Sequence, residues 1–167
     1  MKSSGRRIGA IVGCATLVVA MLGGFGESAG AASINPCKVL KKSEIQTAFG
    51  GPVGNPEKGF STRVSAQCEY EVSDNGDRPD GTVIVHVTTT GAKAAYTGLK
   101  KQSSLYVPID GLPNSLSSEK LHVVNVLKGN VFLGVQGNFI ITDPLPIHFY
   151  DAETQLTDLA QIGITRV

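Results

Sequence analysis

Arg63-Val64-Ser65-Ala66-Gln67-Cys68-Glu69-Tyr70-Glu71-Val72 is the stretch that decides the architecture. Val64, Ala66, Cys68, Tyr70 and Val72 alternate with Arg63, Ser65, Gln67, Glu69 and Glu71. Side chains of a strand point to opposite faces in turn, so a period of two predicts a strand with one face in a core. Cys68 falls on the apolar face, which directs its sulfur inward. After a turn-rich loop at 73–81, residues 82–88 repeat the alternation with Val83, Val85 and Val87, and read as the partner strand.

Upstream, 41–49 reads as a helix with Ile45, Ala48 and Phe49 on one face, stopped by Gly50-Gly51-Pro52. Residues 52–61 look irregular or edge-like, and 32–36 form a short lead-in tied down at Cys37. Downstream, 91–102 places Ala92, Ala95, Tyr96 and Leu99 along one side of a second helix. A short strand at 106–109 and a Gly/Pro/Asn/Ser-rich loop at 110–118 follow. Residues 121–128 and 131–137 pair as a hairpin across Lys128-Gly129-Asn130. Pro144 and Pro146 interrupt the chain, and Asp151 caps a last helix running to about residue 165. Its inward residues are Ala152, Leu156, Leu159, Ala160 and Gly163.

Strands that arrive in hairpins, rather than singly between helices, imply an α+β fold. The expectation is an antiparallel sheet with two or three helices packed on one face and one disulfide. Each half reads as a helix followed by paired strands, which hints at duplication, but residue identity between the halves is too poor to claim one.

The N-terminus reads as a cleavable secretory signal at 1–31, leaving one domain at 32–167. Lys2, Arg6 and Arg7 precede an uncharged stretch from Ile8 to Gly26, and Ala29-Gly30-Ala31 forms a small-residue cleavage site. Cleavage falls after Ala31 or Ala32. A lipid at Cys14 has too short an apolar segment before it, so secretion into an extracytoplasmic space is expected. Membrane contact is then confined to this segment, if it is uncleaved or lipidated at Cys14.

Losing Lys2, Arg6, Arg7 and Glu27 leaves 12 basic and 13 acidic side chains, a net charge of about −1. Without a basic stripe, nucleic acid has no electrostatic footprint to bind. Cys37 and Cys68 remain as an isolated pair, which in an oxidising compartment forms a disulfide. They are not C-x-x-C and no Cys/His cluster surrounds them, so a structural bond outweighs redox or metal chemistry.

Asn35-Pro36-Cys37, Leu40, Glu44 and Phe49-Gly50-Gly51-Pro52-Val53 together resemble the start of an exported actinobacterial domain family of unknown function. That family opens with an N/D-P-C-x-L-L-T-x-x-E pattern. Cys68-Glu69-Tyr70 is similar to its C-x-Y strand, Asp110-Gly111-Leu112 to its central loop, and Leu127-Lys128-Gly129-Asn130 to its late hairpin. Lys41 stands where the family has a capping Thr, and Pro113-Asn114 where it has Gly-Asp. The resemblance implies an exported, commonly lipid-anchored or envelope-associated α+β domain with a Cys37–Cys68 disulfide, and carries no catalytic residues.

No cofactor signature survives in 32–167. His86 and His122 lie on predicted strands and could sit side by side on the open sheet face, yet no spacing such as H-E-x-x-H supplies a third metal ligand. Asp74, Asp77 and Asp80 crowd one loop with hairpin-turn composition rather than calcium-loop spacing. No nucleophile elbow or S-x-x-K motif occurs. The 106–116 loop, with Tyr106, Asp110 and Asn114, is the candidate ligand or partner site. The function expected is a non-catalytic domain binding a small ligand or an envelope protein. The alternatives are a secreted hydrolase with an unrecognised site, or an inhibitor of secreted enzymes.

Overall fold

Asn35 opens the fold: its side chain accepts the Cys37 N–H at 3.0 Å, and Pro36 starts a 3₁₀ turn, Pro36–Lys38. A computed structural model gives the structure and describes residues 34–73, 80–139 and 152–167. The signal segment, Asp74, Asp77 and the capping Asp151 lie outside these residues. Helix α1 is Lys42–Phe49. Lys41 gives it no side-chain cap, and Glu44 compensates by accepting the Lys41 N–H at 2.8 Å. Arg166 clamps the same carboxylate through two nitrogens, at 2.8 and 2.6 Å, and also donates to the Val39 carbonyl at 2.8 Å. The guanidinium holds the Glu44 carboxyl below its usual value. Gly50, at φ 70°, closes the helix in the left-handed region.

Strands β1 (Glu57–Ser61), β2 (Ser65–Val72) and β3 (Gly81–Thr88) form a meander. Helix α2 (Ala92–Lys100) leads to a second meander of β4 (Ser115–Ser118), β5 (Val123–Lys128) and β6 (Val131–Phe139). The β5–β6 turn is two residues long, with Gly129 at φ 59° supplying the twist that hairpins need. Helix α3 (Ala152–Ile164) ends the chain's regular structure. All pairings are antiparallel, and the strand order β1-β2-β3-β6-β5-β4 is palindromic about the β3–β6 pair. The fold is therefore α+β, as the hairpin grouping implies.

Register divides the sheet into two unlike faces. Cys68, Tyr70, Val72, Val83, Val85, Val87, Val124, Val126, Leu133 and Val135 lie on one, all buried. Ile45 and Phe49 of α1, with Leu156, Leu159 and Ala160 of α3, cover them and complete the main core. Lys128 fixes α3 from the hairpin side, donating to the carbonyls of Ile164 and Val167 at 2.9 Å each, where a helix end carries partial negative charge.

Two helices thus pack on the main face, and α2 packs on the other. Leu116, Asn125 and Phe132 sit on the opposite parity, and are buried with Ala92 and Tyr106 in a satellite layer. Helix α2 meets β5 and β6, so the β1–β2–β3 half of this face stays half-buried and polar: Gln67, Glu69, Thr82, His86 and Thr88.

The Cys37–Cys68 disulfide is formed, with Cα atoms 5.1 Å apart. Tyr70, two residues on, sends its hydroxyl to the Leu40 carbonyl at 2.7 Å. Together they pin the chain before α1 to β2. Burial pushes the Tyr70 phenol up to about 12, so it remains a donor at any working pH.

Three expectations are corrected. Residues 115–118 are a buried strand rather than loop, and 106–109 contribute only a single bridge, Val107 to Ser117. His86 and His122 are not side by side. His86 pairs with Gly134 and Gly134 with Asn125, whereas His122 precedes Asn125 by three residues and caps a separate 3₁₀ turn.

Candidate functional site

The β1–β2 connection is built around Thr62. Its hydroxyl accepts the N–H groups of Val64 at 3.3 Å and Ser65 at 3.0 Å, the local pattern that makes short polar side chains turn formers. Thr62 N–H also donates to the Ser65 carbonyl at 2.7 Å. With its backbone held this way, the turn carries Arg63 and Val64 outward, and Val64 is 41% exposed. Thr89, just past β3, donates its N–H to the Val64 carbonyl at 2.9 Å and ties the turn to the third strand. A register shift between Lys58 and Ser61 bends β1 at the same place.

Between this turn and the lead-in at 34–36 lies a cavity of about 200 Å³. Ile34, Pro36, Val64, Ala66 and Val87 give it apolar walls. Lys58, Arg63, Thr62 and Thr89 stand among its polar groups, and no Asp or Glu lines it. Lys58 and Arg63 are exposed and make no ion pair among the described residues, where the one salt bridge is Arg166–Glu44. The disulfide adjoins the site, because Pro36 precedes Cys37 directly and Lys58 pairs with Cys68.

On the sheet's other face, His86 Nε2 contacts the Ser65 hydroxyl, and Ser65 Oγ lies 3.1 Å from Thr88 Oγ1. The exposed Phe60 ring leans on the imidazole, centroids 5.7 Å apart. A Ser–His contact serves nucleophilic catalysis only when a third group orients the imidazole and donors await an oxyanion. Among the described residues no hydrogen bond orients the other ring nitrogen. The nearby Glu69 carboxylate is held by Gln67 Nε2 at 2.6 Å. No group of three His, Cys, Asp or Glu among the described residues could hold a metal ion.

Burial lowers the pKa of His86 below its usual 6.5, favouring the neutral ring. The unfolded chain therefore binds a proton that the folded chain refuses. The stability this confers is complete above 6.5 and is lost as pH falls from there through the folded value. His86→Asn is expected to flatten the fall in urea midpoint between pH about 7 and 5. Parallel curves for variant and parent would show that burial of His86 does not set this slope.

The residues singled out in the 106–116 loop differ in burial. Tyr106 is turned inward, 8% exposed, and burial raises its phenol pKa. Asp110 is exposed, and Asn114 is exposed at φ 53° with its carbonyl accepting the Leu127 N–H at 2.9 Å. The cavity was missed because its walls come from three separated segments. Val64, core-facing on the expected alternation, instead stands exposed in the turn beside Arg63, because β2 begins only at Ser65.

No family model, curated protein or solved structure matches the chain. No helix among the described residues is long and apolar enough to cross a membrane, and the disulfide suits an oxidising, extracytoplasmic compartment.

Proposed function

We propose that the chain is an exported, non-catalytic binding domain that receives a small ligand, or a side chain of an envelope protein, at the β1–β2 end of its sheet. One observation carries this reading: a cavity with apolar walls and two cations that make no ion pair among the described residues, framed by a hydrogen-bonded turn and a disulfide. Binding sites combine such apolar walls with a few placed polar groups. The leader pattern and the resemblance to exported actinobacterial domains support placement at the cell envelope. A thermal-shift screen with envelope metabolites, together with capture from cell-wall extract, should return at least one ligand or partner whose effect is lost in Lys58→Gln. Silence in both assays counts against the reading.

The Ser65–His86 contact gives a hydrolase some footing. Serine-reactive fluorophosphonate is expected to leave Ser65 unlabelled, and stoichiometric labelling there would make hydrolysis the better reading.

A further inference from the structure

The charge of the cavity is not inherited from the chain. Residues 32–167 are close to neutral, yet the lining holds Lys58 and Arg63 and no carboxylate. Two cations placed together without a counter-ion repel each other, and an anion between them relieves that repulsion. The acidic neighbours belong elsewhere. Glu57 pairs with Glu69 and shares the opposite parity, whereas Lys58 pairs with Cys68 and so faces the cavity side.

Size and walls narrow the class further. About 200 Å³ falls below the roughly 300–1,000 Å³ of sites for drug-sized ligands, which excludes nucleotides and oligosaccharides as fully enclosed guests. Ile34, Pro36, Val64, Ala66 and Val87 offer a bare anion no hydrogen bonds from their side chains. They do offer a short hydrocarbon body a place out of water. Arg63 brings to the lining a planar fork matched to a carboxylate, and Lys58 a point charge.

We infer that the cavity binds a small organic carboxylate with a short, branched apolar body, the carboxylate between Arg63 and Lys58 and the body against Ile34, Pro36 and Val87. This rests on the binding reading above and adds the ligand class. Occupancy should weaken as salt rises, because both cations are exposed.

Three probes test it on the full exported protein, followed by amide NMR shifts at millimolar concentration: isovalerate, neutral isovaleramide and acetate. Isovalerate should shift the amides of residues 58 and 61–67 and of Thr89, and bind about tenfold or more tightly than either control. Lys58→Gln with Arg63→Gln should remove that advantage and leave isovaleramide binding unchanged. Both sites are exposed, so the fold survives the change. Equal binding of isovalerate and isovaleramide overturns the anion assignment and leaves the binding reading standing. Equal binding of acetate overturns the apolar body. Undiminished isovalerate binding by the double variant overturns the role of the two cations. Silence of all three probes overturns the small-carboxylate assignment, while the binding reading itself stands or falls on the metabolite screen and capture experiment above.

Discussion

Replacing Cys37 and Cys68 together by alanine is expected to lower the free energy of unfolding by about 3–4 kcal/mol in urea titration. The bond joins residues 31 apart in sequence, and a cross-link of that span removes much of the unfolded chain's freedom. Its role in the folded state adds a second, separable readout. Ile34 and Pro36 wall the cavity and are held against β2 by the bond at Cys37. Loss of the disulfide should therefore weaken ligand binding even at temperatures where the variant stays folded. Wild-type protein treated with dithiothreitol should behave as the double variant does. A loss of stability below about 1 kcal/mol would show that Tyr70, through its bond to the Leu40 carbonyl, is sufficient to hold the lead-in.

Leu133→Ala should cost about 3 kcal/mol. Leu133 is fully buried at the centre of the sheet, in the strand that α3 crosses. Gly163 of α3 makes the close approach possible: a Cβ there would lie 2.9 Å from Leu133 Cδ2 and 3.1 Å from Val39 Cγ1. Gly163→Ala alone sets a gain in helix propensity of about 1 kcal/mol against overpacking of similar size. In the Leu133→Ala background the new methyl instead enters vacated space. The two substitutions should then couple favourably by about 1 kcal/mol in a double-mutant cycle. Strict additivity would mean that the backbone of α3 relaxes and that Gly163 does not set the helix–sheet distance.

The strands that the sequence revealed are those whose two faces meet different solvents. At 65–72 and 81–88 every second residue faces the main core while its neighbours stay half-buried or exposed, so alternation survives in composition. β4 fails that test. Ser115, Ser117 and Ser118 are buried although polar, and Leu116, its one apolar residue, faces α2 rather than the main core. Buried on both faces and built of turn-forming residues, it reads as a loop. Helix α2 was legible as a helix, but its side of the sheet was not. That choice depends on α3 already occupying the main face over β5 and β6, a contact between segments far apart in the chain. The candidate site follows the same rule. Cys37 and Cys68 declare themselves by being a pair, whereas Lys58, Arg63 and Ile34 acquire a common purpose only once β1, the turn and the lead-in converge.

The palindromic strand order has a consequence for behaviour at high protein concentration. It leaves β1 and β4, the two shortest strands, at the margins of the sheet. Unpaired strand margins invite other chains to add on and seed fibres. Here each is blunted differently. β4 is four residues long and its outer side is taken by the reciprocal Val107–Ser117 bridge, at 2.9 and 2.8 Å. β1 follows Pro56, carries Lys58 and breaks register before Ser61. The longer, valine-rich strands in unbroken register lie inside, where no neighbour can template on them. The meander pair thus guards against self-association by placing its poorest strands outermost.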